Sequence, residues 1–177
     1  MPIRRKTIKR LVEDILTTAK ISEPPIPVER TAKDLRLLVR YEPFQGELSG
    51  CLIRQGDGAT VGINSLHHEN RQRFTLAHEI GHYLLHKGEE VIVDRGFRVN
   101  LRDAEAGKAE NPEEIEANYF AAELLMPERL LLNDLKGREF DIDIENDELI
   151  RELAKRYRVS TQALTHRLVN LGFIISQ

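Results

Sequence analysis

The sequence predicts an α+β domain, and two observations carry that reading. Several stretches repeat apolar residues with the 3.6-residue period of amphipathic helices. Between them, from Arg36 to Asn64, lie short apolar runs punctuated by glycine, the texture of a small, mostly antiparallel sheet. At 177 residues, 41% hydrophobic and 31% charged, the chain can build one core and is too short for a multidomain machine. Its formal charge of -3, from 26 Lys plus Arg against 29 Asp plus Glu, excludes the global basic field of a dedicated nucleic-acid binder. A single cysteine, Cys51, excludes an internal disulfide or a thiolate zinc cluster and fits a reducing, cytoplasmic home. The basic start from Met1 to Arg10 has no signal-type apolar region behind it, and no apolar run nears the ~18 residues of a membrane span. A soluble protein is expected.

Taken in order, Ile8, Leu11, Val12, Ile15, Leu16 and Ala19 share one helical face, which predicts a helix over Arg4 to Lys20 with its basic residues solvated. Pro24, Pro25 and Pro27 end it, and a short helix over Val28 to Leu35 follows. Leu37 to Val39, Cys51 to Ile53 and Thr60 to Ile63 read as strands, with Gly56-Asp57-Gly58 as a hairpin turn. Leu66 to His86 is helical again. Val91 to Asn111 reads as a long loop and candidate lid, with one strand at Val91-Ile92-Val93. Asn111-Pro112 is a cap followed by proline at the first helical position, opening a helix to about Met126, and Glu128 to Leu135 forms another. Two last helical patterns flank Arg158-Val159-Ser160 in the manner of a helix-turn-helix. The expected organisation is a domain over 1–135 and a C-terminal helical subdomain over 136–177 packed on it.

Within the Leu66 to His86 helix, His78-Glu79-Ile80-Gly81-His82 places two histidines at i and i+4, so both imidazoles can converge on one metal ion. Glu79 then stands beside the metal as a general base for a zinc-activated water. His86, at i+8, lies about 12 Å along a straight helix from His78, too far for the same ligand shell. It is read as an outer-shell, substrate-side or merely exposed group.

A catalytic zinc needs a third protein ligand, and the helix after Pro112 is the candidate source. A helical wheel sets Glu116 and Glu123 on the solvent side and Glu114 opposite, on the stripe of Asn118, Ala121 and Leu125. Glu114 is the preferred ligand; it also fits the N3 position of a capping box from Asn111. Asn118 could orient a ligating side chain from outside the first shell, or be an ordinary polar helix residue.

The run from Phe74 to His86, followed by Glu114 to Pro127, resembles the ImmA/IrrE family of zinc metallopeptidases. Val61-Gly62-Ile63-Asn64, Leu153-Ala154, Val159-Ser160 and Arg167-Leu168 extend the resemblance over most of the chain from about Ile26. It implies a zincin-like fold and a gluzincin-like site with His78, His82 and Glu114 on zinc and Glu79 as base. It also implies a cytoplasmic regulatory endopeptidase whose substrate is a helix-turn-helix repressor or antitoxin. The additional sensor-like domain of some larger members is not expected after Phe173-Ile174-Ile175.

Other signals are weaker. Asp141 to Asp147 with Glu152 mimics a calcium loop but lacks its turn glycine. Arg151, Lys155, Arg156, Arg158 and Arg167 offer a basic surface for DNA or a repressor, which is the alternative reading: a regulatory binding module with structural zinc. Arg71 and Arg73 read as a solvated face, and Cys51 as a buried structural thiol. Tyr83, Tyr119, His68 and Tyr157 are the candidates for stabilising an oxyanion. An extended substrate could add to an exposed strand of the Leu37 to Ile63 sheet.

Overall fold

The structure is a computed structural model that describes residues 3–56, 58–87, 90–95, 111–136 and 147–174. Its first half runs α1 (Arg5–Thr18), α2 (Val28–Asp34), β1 (Leu37–Glu42), β2 (Leu48–Gln55), β3 (Gly58–Asn64) and α3 (Glu69–Leu85). After these come β4 (Val91–Arg95), α4 (Pro112–Leu125), α5 (Glu128–Leu135), α6 (Asp147–Tyr157) and α7 (Thr161–Asn170). The α+β expectation is met.

Ile8, Val12 and Leu16, spaced four apart, carry the buried face of α1, which packs on α4. The four strands form one mixed sheet in the order β1-β3-β2-β4. The hairpin closes Gln55 opposite Gly58, and β4 runs antiparallel to β2, with a register irregularity between Leu48 and Gly50. β1, however, runs parallel to β3, from Leu37 opposite Ala59 to Glu42 opposite Asn64, so the mostly antiparallel expectation holds for two of the three pairings. The hairpin's return strand fills the gap beside β1, a placement decided by burial rather than by a local turn. Ala59, Val61 and Ile63 of this central strand are buried. Asn64 ties the loop after β1 to β2: its amide donates to Phe44 O (3.2 Å) and Leu48 O (2.8 Å) and its Oδ1 accepts from Phe44 N–H (3.3 Å).

α3 lies between the sheet and α4, packing on β2 and β3. Because it has neighbours on both sides, every residue from Thr75 to His82 is buried, the polar ones included. One buried apolar cluster runs from Ile8 to Ile174 and draws in α6 and α7. Those two helices are also tied by Tyr157 O–H to Asp134 Oδ2 (2.9 Å) and by Asn70 Nδ2–H to Val159 O (3.0 Å). The calcium-loop candidate at 141–146 and residues 96–110 of the lid candidate lie outside the described residues. Among the described residues no helix is long and apolar enough to cross a membrane.

Two expectations fail in an instructive way. Glu116 and Glu123, set on the solvent side by the wheel, are 5% and 3% exposed. α4 is covered on more than one side, and each carboxylate is neutralised by an arginine from elsewhere: Arg4 Nη2 at 2.5 Å from Glu116 Oε2 and Arg167 Nη2 at 2.5 Å from Glu123 Oε2. Arg73 is likewise buried rather than solvated, donating to Ile26 O (2.8 Å) and Arg158 O (3.3 Å). A single-helix pattern cannot anticipate such pairs. Cys51 is half-buried, and burial raises its thiol pKa.

Candidate metal centre

α3 starts where His68 Nδ1 accepts from Asn70 N–H (3.2 Å), satisfying one of the unbonded N–H groups of the first turn. Three turns later His78 and His82 face α4, while Glu79 faces the sheet. Two glycines permit this. A Cβ on Gly50 of β2 would stand 2.5 Å from Thr75 Cγ2 and 3.1 Å from Glu79 Oε1, so only glycine lets the carboxylate lie against the strand. A Cβ on Gly81 would meet Ala117 Cα at 3.2 Å and Phe120 Cδ1 at 3.1 Å, so this glycine brings α4 close to α3.

At that close approach Glu114 meets the imidazoles: Oε1 lies 3.2 Å from His82 Nε2 and Oε2 lies 3.5 Å from His78 Nε2. The two Nε2 atoms are 2.9 Å apart, and ligand atoms of all three residues lie within 4.8 Å of one another. Tetrahedral zinc with Zn–N bonds of about 2.0–2.1 Å would separate two ring nitrogens by roughly 3.3 Å, so the cluster has the right scale for the ion. The chemistry of the donors agrees. Burial lowers His78 to about 4, leaving its imidazole neutral at pH 7 with a lone pair to give. The adjoining imidazoles of His78 and His82 hold the Glu114 carboxyl well below the usual carboxylate range, so it is charged. Asn111, for its part, caps α4 through Glu113 N–H (3.1 Å), with the Glu114 side chain turned to the imidazoles.

The back of each ring is also held. Asn118 Oδ1 is 3.1 Å from His78 Nδ1. His86 Nδ1 is 3.1 Å from His82 Nδ1, and His86 Nε2 is 3.2 Å from Glu116 Oε2. His86 is therefore not an exposed group: it is 6% exposed. Of the roles open to it, the outer-shell one fits: His86 lies four residues from His82, touches its ring, and stays outside the group of His78, His82 and Glu114.

Arg54 of β2 completes the end of α3, donating to His82 O (2.9 Å), which also accepts from His86 N–H (3.1 Å), and to His86 O (2.6 Å). Sequence reasoning missed Arg54, Gly50, Glu116 and Arg4, whose roles depend on contacts between distant segments. The oxyanion candidates take up separate posts. Tyr157 donates to Asp134, Tyr83 stacks beneath Arg54, Tyr119 lies by Arg5 and Arg167, and His68 caps α3.

With that geometry in hand, likeness to known proteins becomes informative. A family model described as the IrrE N-terminal-like domain of peptidase family M78 matches residues 32–169. The radiation response metalloprotease IrrE of Deinococcus radiodurans is 36% identical over 107 residues, covering 60% of this chain and 29% of that protein. Its counterpart in Deinococcus deserti is 36% identical over 121 residues, covering 64% of this chain and 39% of that protein. The match thus spans about a third of the length of these curated relatives. Covering most of this chain and both helices of the histidine and glutamate cluster, the family match shows that the chain belongs to the IrrE N-terminal-like domain family of metallopeptidases.

Proposed function

We propose that this protein is a zinc-dependent endopeptidase that hydrolyses a peptide bond in a regulatory protein, a helix-turn-helix repressor or antitoxin. The observation that carries the reading is the convergence of His78, His82 and Glu114 with one accessible side: both imidazoles are buried, whereas the Glu114 side chain is 40% exposed. A structural site is closed by protein ligands, whereas a catalytic one keeps a position for water and substrate.

In this reading His78, His82 and Glu114 hold the ion. Zinc there supplies a Lewis acid for the scissile carbonyl and lowers the pKa of water towards about 7. Glu79, buried between the metal side and Gly50, takes the proton of the attacking water and passes it to the leaving amine. Asn118 accepts from His78 Nδ1–H and so keeps Nε2 free for the metal. The edges of the sheet are β1 and β4, and β4 neighbours the strand that touches Glu79. An extended substrate segment is therefore expected to pair with β4, whose Val91 and Val93 are exposed, rather than with β2 or β3. The chain is read as a metallopeptidase domain over 1–135 carrying a helical subdomain over 136–177, consistent with the Arg167–Glu123 and Tyr157–Asp134 contacts.

The DNA-binding alternative finds little support in the helical pair. Arg156 pairs with Asp134, Arg158 with Glu69 and Arg167 with Glu123, so at least three of its five basic residues are already engaged. A gel shift at low salt checks this, with no retardation expected.

The decisive experiment combines metal content with cleavage of the repressor encoded nearest the gene, using Glu79→Gln as control. The wild type is expected to hold about one zinc and to cleave, and Glu79→Gln to keep the metal while losing about 10²- to 10⁴-fold in rate. Full cleavage by zinc-loaded Glu79→Gln would remove Glu79 as the base.

A further inference from the structure

The second histidine of the cluster is held from behind by a chain of three side chains that ends in the N-terminal segment. His82 Nδ1 meets His86 Nδ1 at 3.1 Å, and His86 Nε2 meets Glu116 Oε2 at 3.2 Å. Glu116 accepts from Arg4 through Nε (3.0 Å), Nη2 (2.5 Å) and the backbone N–H (2.9 Å). Arg4 Nη2 also reaches Leu85 O at 3.3 Å, at the end of α3.

Hydrogen bookkeeping gives the chain a direction. Guanidinium can only donate, so Glu116 is the acceptor at its end. Glu116 then takes the hydrogen on His86 Nε2, which leaves His86 Nδ1 with a lone pair. That lone pair can only accept from His82 Nδ1–H, and a His82 with its hydrogen on Nδ1 presents a lone pair on Nε2, the atom 3.2 Å from Glu114. Each link thus selects the tautomer that the next one needs.

We infer that His86 is a positioning residue that fixes the tautomer and ring orientation of His82, and that Arg4 anchors it through Glu116. The inference rests on the zinc reading proposed above and deepens it. Arg4 precedes the residues 32–169 that match the family, so the anchor belongs to this chain's own N-terminal segment. The two ligating rings are supported differently: an amide from α4 backs His78, whereas His82 depends on a link that also docks the start of α1.

The test measures zinc affinity of the full-length chain by chelator competition, together with the visible spectrum of its cobalt form and the melting temperature without metal. Outer-shell partners of ligating histidines are worth about 10- to 100-fold in metal affinity. His86→Leu, which fills space without an acceptor, is expected to lose about that factor and to shift the cobalt bands. His86→Asn restores an acceptor near the Nδ1 position and is expected to recover most of the affinity. Arg4→Ala should weaken zinc binding by less than His86→Leu.

Zinc binding by His86→Leu within about twofold of wild type would overturn the inference, because outer-shell loss costs about tenfold or more. So would a lowered metal-free melting temperature with unchanged zinc affinity, the mark of a merely structural residue. Should His86→Leu fail to fold, the ring nitrogen spectrum of the zinc-loaded wild type decides: hydrogen on His86 Nε2 supports the inference, and hydrogen on Nδ1 overturns it. A wild type that binds no zinc would overturn the proposed function as well, whereas normal zinc binding by His86→Leu overturns this inference alone.

Discussion

Three carboxylates of α4 illustrate how one helix treats the same chemical group in two ways. Glu114 is 40% exposed in its side chain and its ion-pair contacts among the described residues are two imidazoles. Glu116 and Glu123 are nearly sealed from solvent and each faces a guanidinium. A carboxylate already balanced by arginine has little charge left for a cation, whereas one beside a neutral imidazole such as His78 keeps its charge for one. The difference separates stability from metal affinity, and single substitutions should show that separation.

The largest effect is expected on the sealed side. Glu123→Ala leaves the Arg167 guanidinium buried with Met126 O as its remaining hydrogen-bond partner among the described residues, which should cost about 3–5 kcal/mol in denaturant unfolding of the metal-free chain. Zinc affinity should stay near wild type. Glu114→Ala should do the reverse: zinc affinity falls by at least about 100-fold, equivalent to about 2.7 kcal/mol, with metal-free stability little changed. Equal loss of stability in both variants would erase the distinction between the two kinds of carboxylate.

Gly81→Ala tests the contact that brings Glu114 within reach. A methyl group 3.2 Å from Ala117 Cα forces α3 and α4 apart, with an expected cost of about 1–3 kcal/mol together with weaker zinc binding. The smallest effect concerns Tyr157, which lies away from the cluster. Burial, reinforced by Asp134, raises its phenol well above the usual tyrosine range. A raised folded-state pKa gives stability that is fully present below about pH 10 and lost as pH rises beyond it. Tyr157→Phe should therefore lose about 1 kcal/mol at pH 7, the worth of its hydrogen bond, and show a shallower alkaline decline. An identical slope above pH 10 would show that the phenol does not contribute.

Much of the candidate site was legible because its spacing is local. His78 and His82 are one helical turn apart, Glu79 follows directly, and Glu114 was singled out by the wheel as lying opposite Glu116 and Glu123. In exposure the wheel's order is reversed, Glu114 being the half-exposed carboxylate and Glu116 and Glu123 the sealed ones. The wheel assumes a helix with one buried side, but α4 has α3, α1 and the α7 arginine around it.

By itself the sequence determined what depends on near neighbours: the helical periods, the proline break after α1, the Asn111 cap, the β2–β3 hairpin and the histidine pair. Tertiary structure alone decided the parallel pairing of β1 with β3, the burial of Glu116, Glu123 and Arg73, and the approach of Glu116 and Arg4 to His86. Arg4 and Glu116 are 112 residues apart. A charge leaves water only where its counter-charge is already in place, so pairing and burial of distant residues are settled together when the helices pack.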